Sequence, residues 1–325
     1  MIAFLGNALD LLDEQGREEV LQFIASQQNS DGGFRDRGGR SDLYYSLFGG
    51  MMQRAAEKET GDRRPETEDR RPEIEDQRPE TGDRRPEIEA TLPERSTGHS
   101  CRSREAVEGI SSQLVDKSLL KFREFIDCQS NSKVPGFIER CCLALLQKEF
   151  GTGRFSRLKS LLSLGRSFWE ERHSINLSYR SFVLFLTLDA VFPFPAILKR
   201  LSWRISSGTT VNQHSPCSEV AAKVFLQKKM NQDGTEEQKL LTSFVCESGG
   251  FKAFQHLQQA DMLSTAVALF ALDYAGYDLR VLRPASLDFI QSNFADGAFL
   301  SGDGDQTADV EYTFYGLLAL GVLAK

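Results

Sequence analysis

The chain has 325 residues, 40% of them hydrophobic, enough for one large domain or two ordinary ones, each with a core. Its net charge of −7 is unevenly placed: residues 60–95 hold twelve acids against eight arginines, and the remainder is close to neutral. That balance excludes a nucleic-acid footprint, and six scattered cysteines without a Cys-x-x-Cys pair point to reduced thiols and signal no zinc site.

Taken in order, Met1 to Asp10 has no basic run before its apolar residues, so no signal peptide is expected and a cytoplasmic setting follows. Residues 3–28 read as two short helices, one carrying Phe4, Leu5, Leu11 and Leu12, the other Val20, Leu21, Phe23 and Ile24, with a break at Gln15-Gly16. Then come Gln28-Asn-Ser-Asp31-Gly32-Gly33-Phe34, a polar loop, and Asp42-Leu-Tyr-Tyr-Ser46 opening an apolar run that ends near Met52. Beyond it a seven-residue unit recurs: Arg63-Arg-Pro-Glu, Arg70-Arg-Pro-Glu, Gln77-Arg-Pro-Glu and Arg84-Arg-Pro-Glu. Each copy has a proline and almost no apolar residue, so helix propagation fails and no coiled-coil seam can form. The expectation is a single domain of residues 1–57 and 105–325, interrupted by a disordered insertion over 58–104. Such a polyampholyte is more simply a solvated loop than a tether for a partner.

From about residue 106 a helical rhythm resumes: Val107 to Ile126, Ile138 to Phe150, Leu158 to Trp169, Leu177 to Val191, Ala196 to Ile205, Glu219 to Met230, and Leu240 to Cys246. No alternating strand pattern competes with it. The longest apolar stretch, Phe182 to Leu198, is broken by Asp189, Pro193 and Pro195, so it cannot span a bilayer. At most it offers a peripheral membrane contact through Phe192-Pro-Phe194-Pro.

The segment around Phe34 recurs twice near the other end. Phe244-Val-Cys-Glu-Ser-Gly249-Gly250-Phe251 is followed by Asp261-Met-Leu-Ser-Thr265, and Phe289-Ile-Gln-Ser-Asn-Phe-Ala-Asp296-Gly297-Ala-Phe299 by Asp309-Val-Glu311-Tyr312-Thr313. Phe125-Ile-Asp-Cys-Gln129 with Gly136-Phe137 reads as a worn copy, and Asn231-Gln-Asp233-Gly234 as a trace of another. The grammar is a helix, a Gly-Gly-Phe turn, a polar loop and an Asp-x-x-x-Ser/Thr helix start, which fixes a repeat architecture. The glycines allow the turn, the phenylalanines can plug the space beneath neighbouring helices, and Asp42, Asp261 and Asp309 suit N-caps.

This pattern resembles the prenyltransferase and squalene-oxidase repeat, and Gln28-x-x-Asp31-Gly32 with a following aromatic is similar to the QW motif of squalene and hopene cyclases. The resemblance implies an all-α fold: an α/α toroid of about six helix pairs around a cavity that holds an isoprenoid or another apolar small molecule. Protein prenyltransferase β subunits of this superfamily place zinc on an Asp-x-Cys and a His at inner-helix starts. Here Asp261 is followed by Leu263 at the cysteine position, and Tyr312 stands at the histidine position, so no metal and no other cofactor is expected. Class II cyclases instead use Asp-x-Asp-Asp-Thr to protonate an alkene or epoxide.

Aligned on the downstream apolar helix, Asp309-Val-Glu311-Tyr312-Thr313 falls on that motif, with Glu311 at the proton donor and Asp309 as its partner. Asp305 lies in a second, less well anchored register. Asp261, Asp42, Asp305 and Tyr312 join as candidate substrate-binding residues at equivalent helix starts or in the preceding loop. Two functions stay open: an enzyme of the terpene cyclase or prenyltransferase kind working by proton-initiated cyclisation, and a non-catalytic toroid that binds a lipid or a protein partner. A zinc-dependent prenyltransferase is the third and weakest reading. Metal analysis of the purified protein tests it directly: sub-stoichiometric zinc is expected, and one zinc per chain would restore the zinc-dependent reading to first place.

Overall fold

The computed structural model describes residues 1–62, 118–130, 136–151, 157–171, 177–191 and 210–325. Within them the chain forms α1 (Ile2–Leu11), α2 (Glu14–Ser26), α3 (Leu43–Asp62), α4 (118–130), α5 (Phe137–Phe150), α6 (Arg157–Glu170), α7 (Leu177–Val191), α8 (Cys217–Lys229), α9 (Thr235–Thr242), α10 (Met262–Ala275), α11 (Arg283–Ser292) and α12 (Val310–Leu323). Burial sorts them into two layers. Val310–Leu323 buries twelve of its fourteen residues, as a helix hemmed in on all sides must, whereas Thr235–Thr242 buries only Leu241. Six inner helices touch in the cyclic order α3, α5, α7, α8, α10, α12 and back to α3, and the outer helices α2, α4, α6, α9 and α11 alternate with them along the chain. This is an α/α toroid. The outer helix expected at Ala196 to Ile205 falls outside the described residues, as do residues 63–117 and Phe192-Pro-Phe194-Pro.

The repeat explains how each pair is pinned. Phe34, Phe251 and Phe299 are 0–1% exposed, and each backbone N–H donates to the hydroxyl four residues into the next inner-helix start: Ser46 Oγ at 2.9 Å, Thr265 Oγ1 at 2.8 Å and Thr313 Oγ1 at 3.3 Å. A buried amide without such a partner would cost about 1–3 kcal/mol. The aspartates act as N-caps: Asp42 Oδ1 accepts from the N–H of Tyr44, Asp261 Oδ1 from Ser264 and Asp309 Oδ1 from Tyr312, each at 2.8 Å. Three residues past the hydroxyl the inner helix must be small. A Cβ at Gly49 would lie 2.3 Å from the Phe34 ring, one at Gly316 would lie 2.2 Å from Phe299, and Ala268 takes this place in the remaining copy.

The first glycine of each turn sets the next pair in place. Gly32, Gly249 and Gly297 have φ of +93°, +87° and +75°, and a Cβ on them would meet the backbone oxygens of Lys121, Ala285 and Glu19 at 2.2, 2.0 and 2.3 Å. The first two contacts join an outer helix to its successor. The third joins the last turn to α2, the first outer helix, so the ring closes with the contact that builds it.

Several local expectations change. The early helix break is at Asp13, not Gln15-Gly16: Asp13 Oδ1 accepts the Gly16 N–H at 2.8 Å, which puts Gly16 inside the first turn of α2. The helix expected from Leu240 to Cys246 starts five residues earlier and stops at Thr242, and α3 continues to Asp62, into the expected insertion. Asn231 to Gly234 joins an inner helix to an outer one, the reverse of a repeat turn, so it is no copy of it. A two-stranded hairpin, Phe294–Ala295 with Ala298–Phe299, forms about Asp296-Gly297, where both residues have positive φ as a tight Asp-Gly turn demands. α1 stands outside the alternation and packs on α3 and α12, and Gly321 leaves room for the Phe4 carbonyl.

Ring closure yields a paired test. Gly297→Ala should lower unfolding stability by about 2–5 kcal/mol, from strain plus collision with the Glu19 backbone, and Gly39→Ala, equally left-handed at φ +81° but with open space around it, by about 1 kcal/mol. Equal losses in denaturant titrations would mean that the Gly297 contact does not hold the ring.

Candidate functional site

A cavity of about 450 Å³ occupies the centre of the ring, with residues from all six inner helices in its wall. The wall is largely apolar: Leu47, Phe48, Leu145, Leu186, Val267 and Phe314 are typical of it. Aromatic packing fixes several of these positions, since Phe48 stacks on Phe314 with centroids 4.3 Å apart and meets Tyr315 edge-on at 5.5 Å. Met1 of the N-terminus also reaches the wall. A wider recess of about 730 Å³ is lined by Met1, by last-turn residues such as Glu149, Lys229 and Tyr274, and by Lys325. The two adjoin, sharing Met1, Leu145, Leu186 and Phe270 in their walls.

The polar groups gather at the opposite end, where the inner helices begin. Glu311, in the first turn of α12, accepts from the Tyr44 hydroxyl at 2.9 Å and the Tyr45 hydroxyl at 3.3 Å, both on the neighbouring α3. The Tyr44 and Tyr315 hydroxyls are 3.2 Å apart, and these two rings, not Glu311, are in the cavity wall. Burial pushes the Glu311 carboxyl above the usual carboxylate range, and the nearby Asp309 charge adds to this, while the two tyrosine hydrogen bonds and Arg37 oppose it.

Asp309 is committed differently. Only 4% exposed, it caps α12 with Oδ1 and accepts from Arg37 Nε at 2.7 Å with Oδ2. Arg37 also donates to Asp305 Oδ2 at 2.8 Å and lies over the Tyr312 ring, 5.1 Å from its centroid. Burial raises the Tyr312 phenol to about 12.

The structure thus brings Asp305, Asp309, Glu311 and Tyr312 together around Arg37 and the tyrosines of α3. Asp42 is beneath them as the cap of α3, its Oδ1 taken by the N–H groups of Tyr44 and Tyr45. Asp261 caps α10, and its second oxygen, Oδ2, is buried with no hydrogen-bond partner among the described residues. Burial raises its carboxyl as well. None of these aspartates is in the cavity wall.

Sequence reasoning missed five participants: Arg37, Tyr44, Tyr45, Tyr315 and Glu219. Tyr44 was findable, because it follows Asp42 by two residues as Glu311 follows Asp309. Glu219, in the first turn of α8, is in the wall beside Ser218, and burial raises its carboxyl. Among the described residues no group of three or more His, Cys, Asp or Glu is arranged to hold a metal ion. No helix among them is long and apolar enough to cross a membrane.

A closed ring of paired helices around an apolar cavity, three of the pairs pinned by a Gly-Gly-Phe or Gly-Ala-Phe turn, is the architecture of an α/α toroid domain. The sequence matches the prenyltransferase alpha-alpha toroid domain over residues 1–62 and 205–325, and the chain belongs to that family. Comparison with curated proteins and with solved structures returned no match.

Glu311 supplies a test with a definite sign. A carboxyl raised in the folded state favours folding at low pH and loses that contribution as pH rises through its folded value. Glu311→Gln, which removes the cost of a buried charge, should melt higher than wild type at pH 7, with the gap closing as pH falls toward 4. A gap that instead widens with acid would mean that the tyrosine hydrogen bonds outweigh burial.

Proposed function

We propose that the protein holds an isoprenoid or comparable apolar chain in its central cavity, in the cytoplasm, with the ligand's tail among the aromatics and its head toward Tyr44 and Tyr315. The supporting observation is the cavity itself: about 450 Å³, within the range of roughly 300–1,000 Å³ usual for small-ligand sites, and walled mainly by aliphatic and aromatic side chains from all six inner helices. Reduced thiols, two of them the buried Cys141 and Cys142 of the wall, agree with a cytoplasmic setting.

Proton-initiated cyclisation is the second reading. What favours it is the raised Glu311 carboxyl, an acid retained in its protonated form to higher pH beside the Asp309 charge. Against it, the Tyr44 ring stands between Glu311 and the cavity, and a phenol is a far weaker acid than the step requires. Binding without chemistry is therefore the function the geometry supports best.

Two measurements decide it. Lipid extracted from purified protein should contain an isoprenoid-like species at near-stoichiometric amounts, and Ala222→Phe, which fills the cavity wall, should lower retention about tenfold or more. Incubation with squalene and with farnesyl and geranylgeranyl diphosphates should return them unchanged. A cyclic product abolished by Glu311→Gln would establish the enzymatic reading instead, and a protein that purifies empty and takes up none of these lipids would remove both.

A further inference from the structure

Two inner helices carry their exposure as stripes. α10 is buried at Met262, Ala266 and Leu269, yet Leu263, Val267 and Phe270 are only partly so, and Tyr274 is 36% exposed. These four follow one another at spacings of four, three and four residues, which puts them on one face of the helix. α7 repeats the pattern with Val183, Leu186 and Ala190, all partly exposed beside the buried Leu184 and Leu188. On both helices the stripe begins in the wall of the central cavity and ends in the wall of the wider recess, and Leu186 and Phe270 belong to both. The two spaces are thus successive lengths of one bore.

Aromatic contacts cross the same boundary. Phe182 of the cavity wall meets Phe225 of the recess edge-on, with centroids 5.1 Å apart, and Phe225 stacks on Tyr274 at 4.4 Å. Phe270 meets Phe4 edge-on at 5.9 Å, and residues 1–4 supply one side of the recess. Its charged side chains come from helix ends, Glu149 and Lys229 among them, and from Lys325, which pairs with Asp273 at 2.7 Å. Between Phe270 and Tyr274 the recess adds roughly 6 Å of wall to the cavity. Apolar surface left facing water forgoes the burial that drives folding, and a hydrocarbon chain laid along the stripe recovers it on binding.

We infer that the recess is the far part of the ligand site: a polyprenyl chain too long for the central cavity runs past Leu186 and Phe270 into it, so the protein prefers long isoprenoid chains to short ones. This rests on the reading of the cavity as an isoprenoid site and adds to it the length of the chain. Ala190, which lines the recess and not the cavity, becomes a specificity-determining position.

Farnesol and geranylgeraniol share a head and differ by one isoprene unit, so equilibrium dialysis of the full chain against each isolates the effect of length. Geranylgeraniol should bind at least about tenfold more tightly. Ala190→Trp, which fills the recess, should remove that advantage and leave the affinity for farnesol within about twofold of wild type. The lower water solubility of the longer alcohol is common to both proteins, so the comparison between them reports on the recess alone. Where farnesol binds, an advantage of the longer chain that is missing from the wild type, or that survives Ala190→Trp, overturns this inference and leaves the cavity reading intact. Binding of neither alcohol overturns both. Should the variant fail to fold, a geranylgeraniol analogue with a photoreactive group at its tail end decides the matter in the wild-type chain. Crosslinks to recess residues such as Phe225 and Tyr274 are expected, and labelling that spares the recess overturns the inference.

Discussion

Three of the turns between an outer and an inner helix bury a phenylalanine's backbone amide, and a buried amide must find an acceptor. In three copies that acceptor is a Ser or Thr hydroxyl one turn into the following inner helix, reached by the N–H of Phe34, Phe251 or Phe299. The bond sets the register of turn against helix, and much else follows from it. With the register fixed, the phenylalanine ring falls over position +3 of the helix, which must then be Gly49, Ala268 or Gly316. The aspartate four residues before the hydroxyl falls at the N-cap, and the first glycine falls against the next outer helix. A repeat of a few letters thereby specifies local conformation, packing between layers and the step from one pair to its neighbour.

The same constraint creates the site. Capping aspartates force the first-turn residues at +2 and +3 toward the ring interior or its rim, where Tyr44, Tyr45, Glu311 and Tyr312 meet. Positions with structural duties and positions with chemical ones therefore alternate within five residues. Asp309 shows the cost of confusing them. Read by motif it is half of an acid pair; in the fold it is a cap and the partner of Arg37, and little of its carboxylate remains for a substrate.

Much of the fold was legible because helix period, turn chemistry and repetition agree. Leu177–Val191 begins and ends where the pattern places it, and the three aspartates cap as their spacing requires. Gly16 misled because a glycine reads as a breaker, whereas the Asp13 cap three residues before it decides where α2 starts. The Asp296-Gly297 hairpin was overlooked although its dipeptide is a strong turn signal, since two-residue strands leave no alternation to detect. The site was less legible. Glu311 meets Tyr44 across 267 positions of sequence, through a contact that exists only once the ring has closed. Glu219 was hidden for another reason: a first-turn glutamate after a proline is the commonest of helix beginnings, and only the neighbouring cavity separates it from one.

The contact between Gly297 and Glu19 has an architectural consequence. Linear stacks of helix pairs must finish at both ends with modified units whose outer faces tolerate water. Here the last turn meets the first outer helix through the same glycine approach that links Gly32 to Lys121, so no unit is terminal and no capping unit is needed. Each pair is stabilised from both sides, and the order in which the pairs are encoded matters less than their circular sequence in space. Joining Lys325 to Met1 and opening the chain between α3 and α4 would leave the approaches of Gly32 to Lys121, Gly249 to Ala285 and Gly297 to Glu19 in place, so a circular permutant is a natural object for this fold rather than a mutilated one.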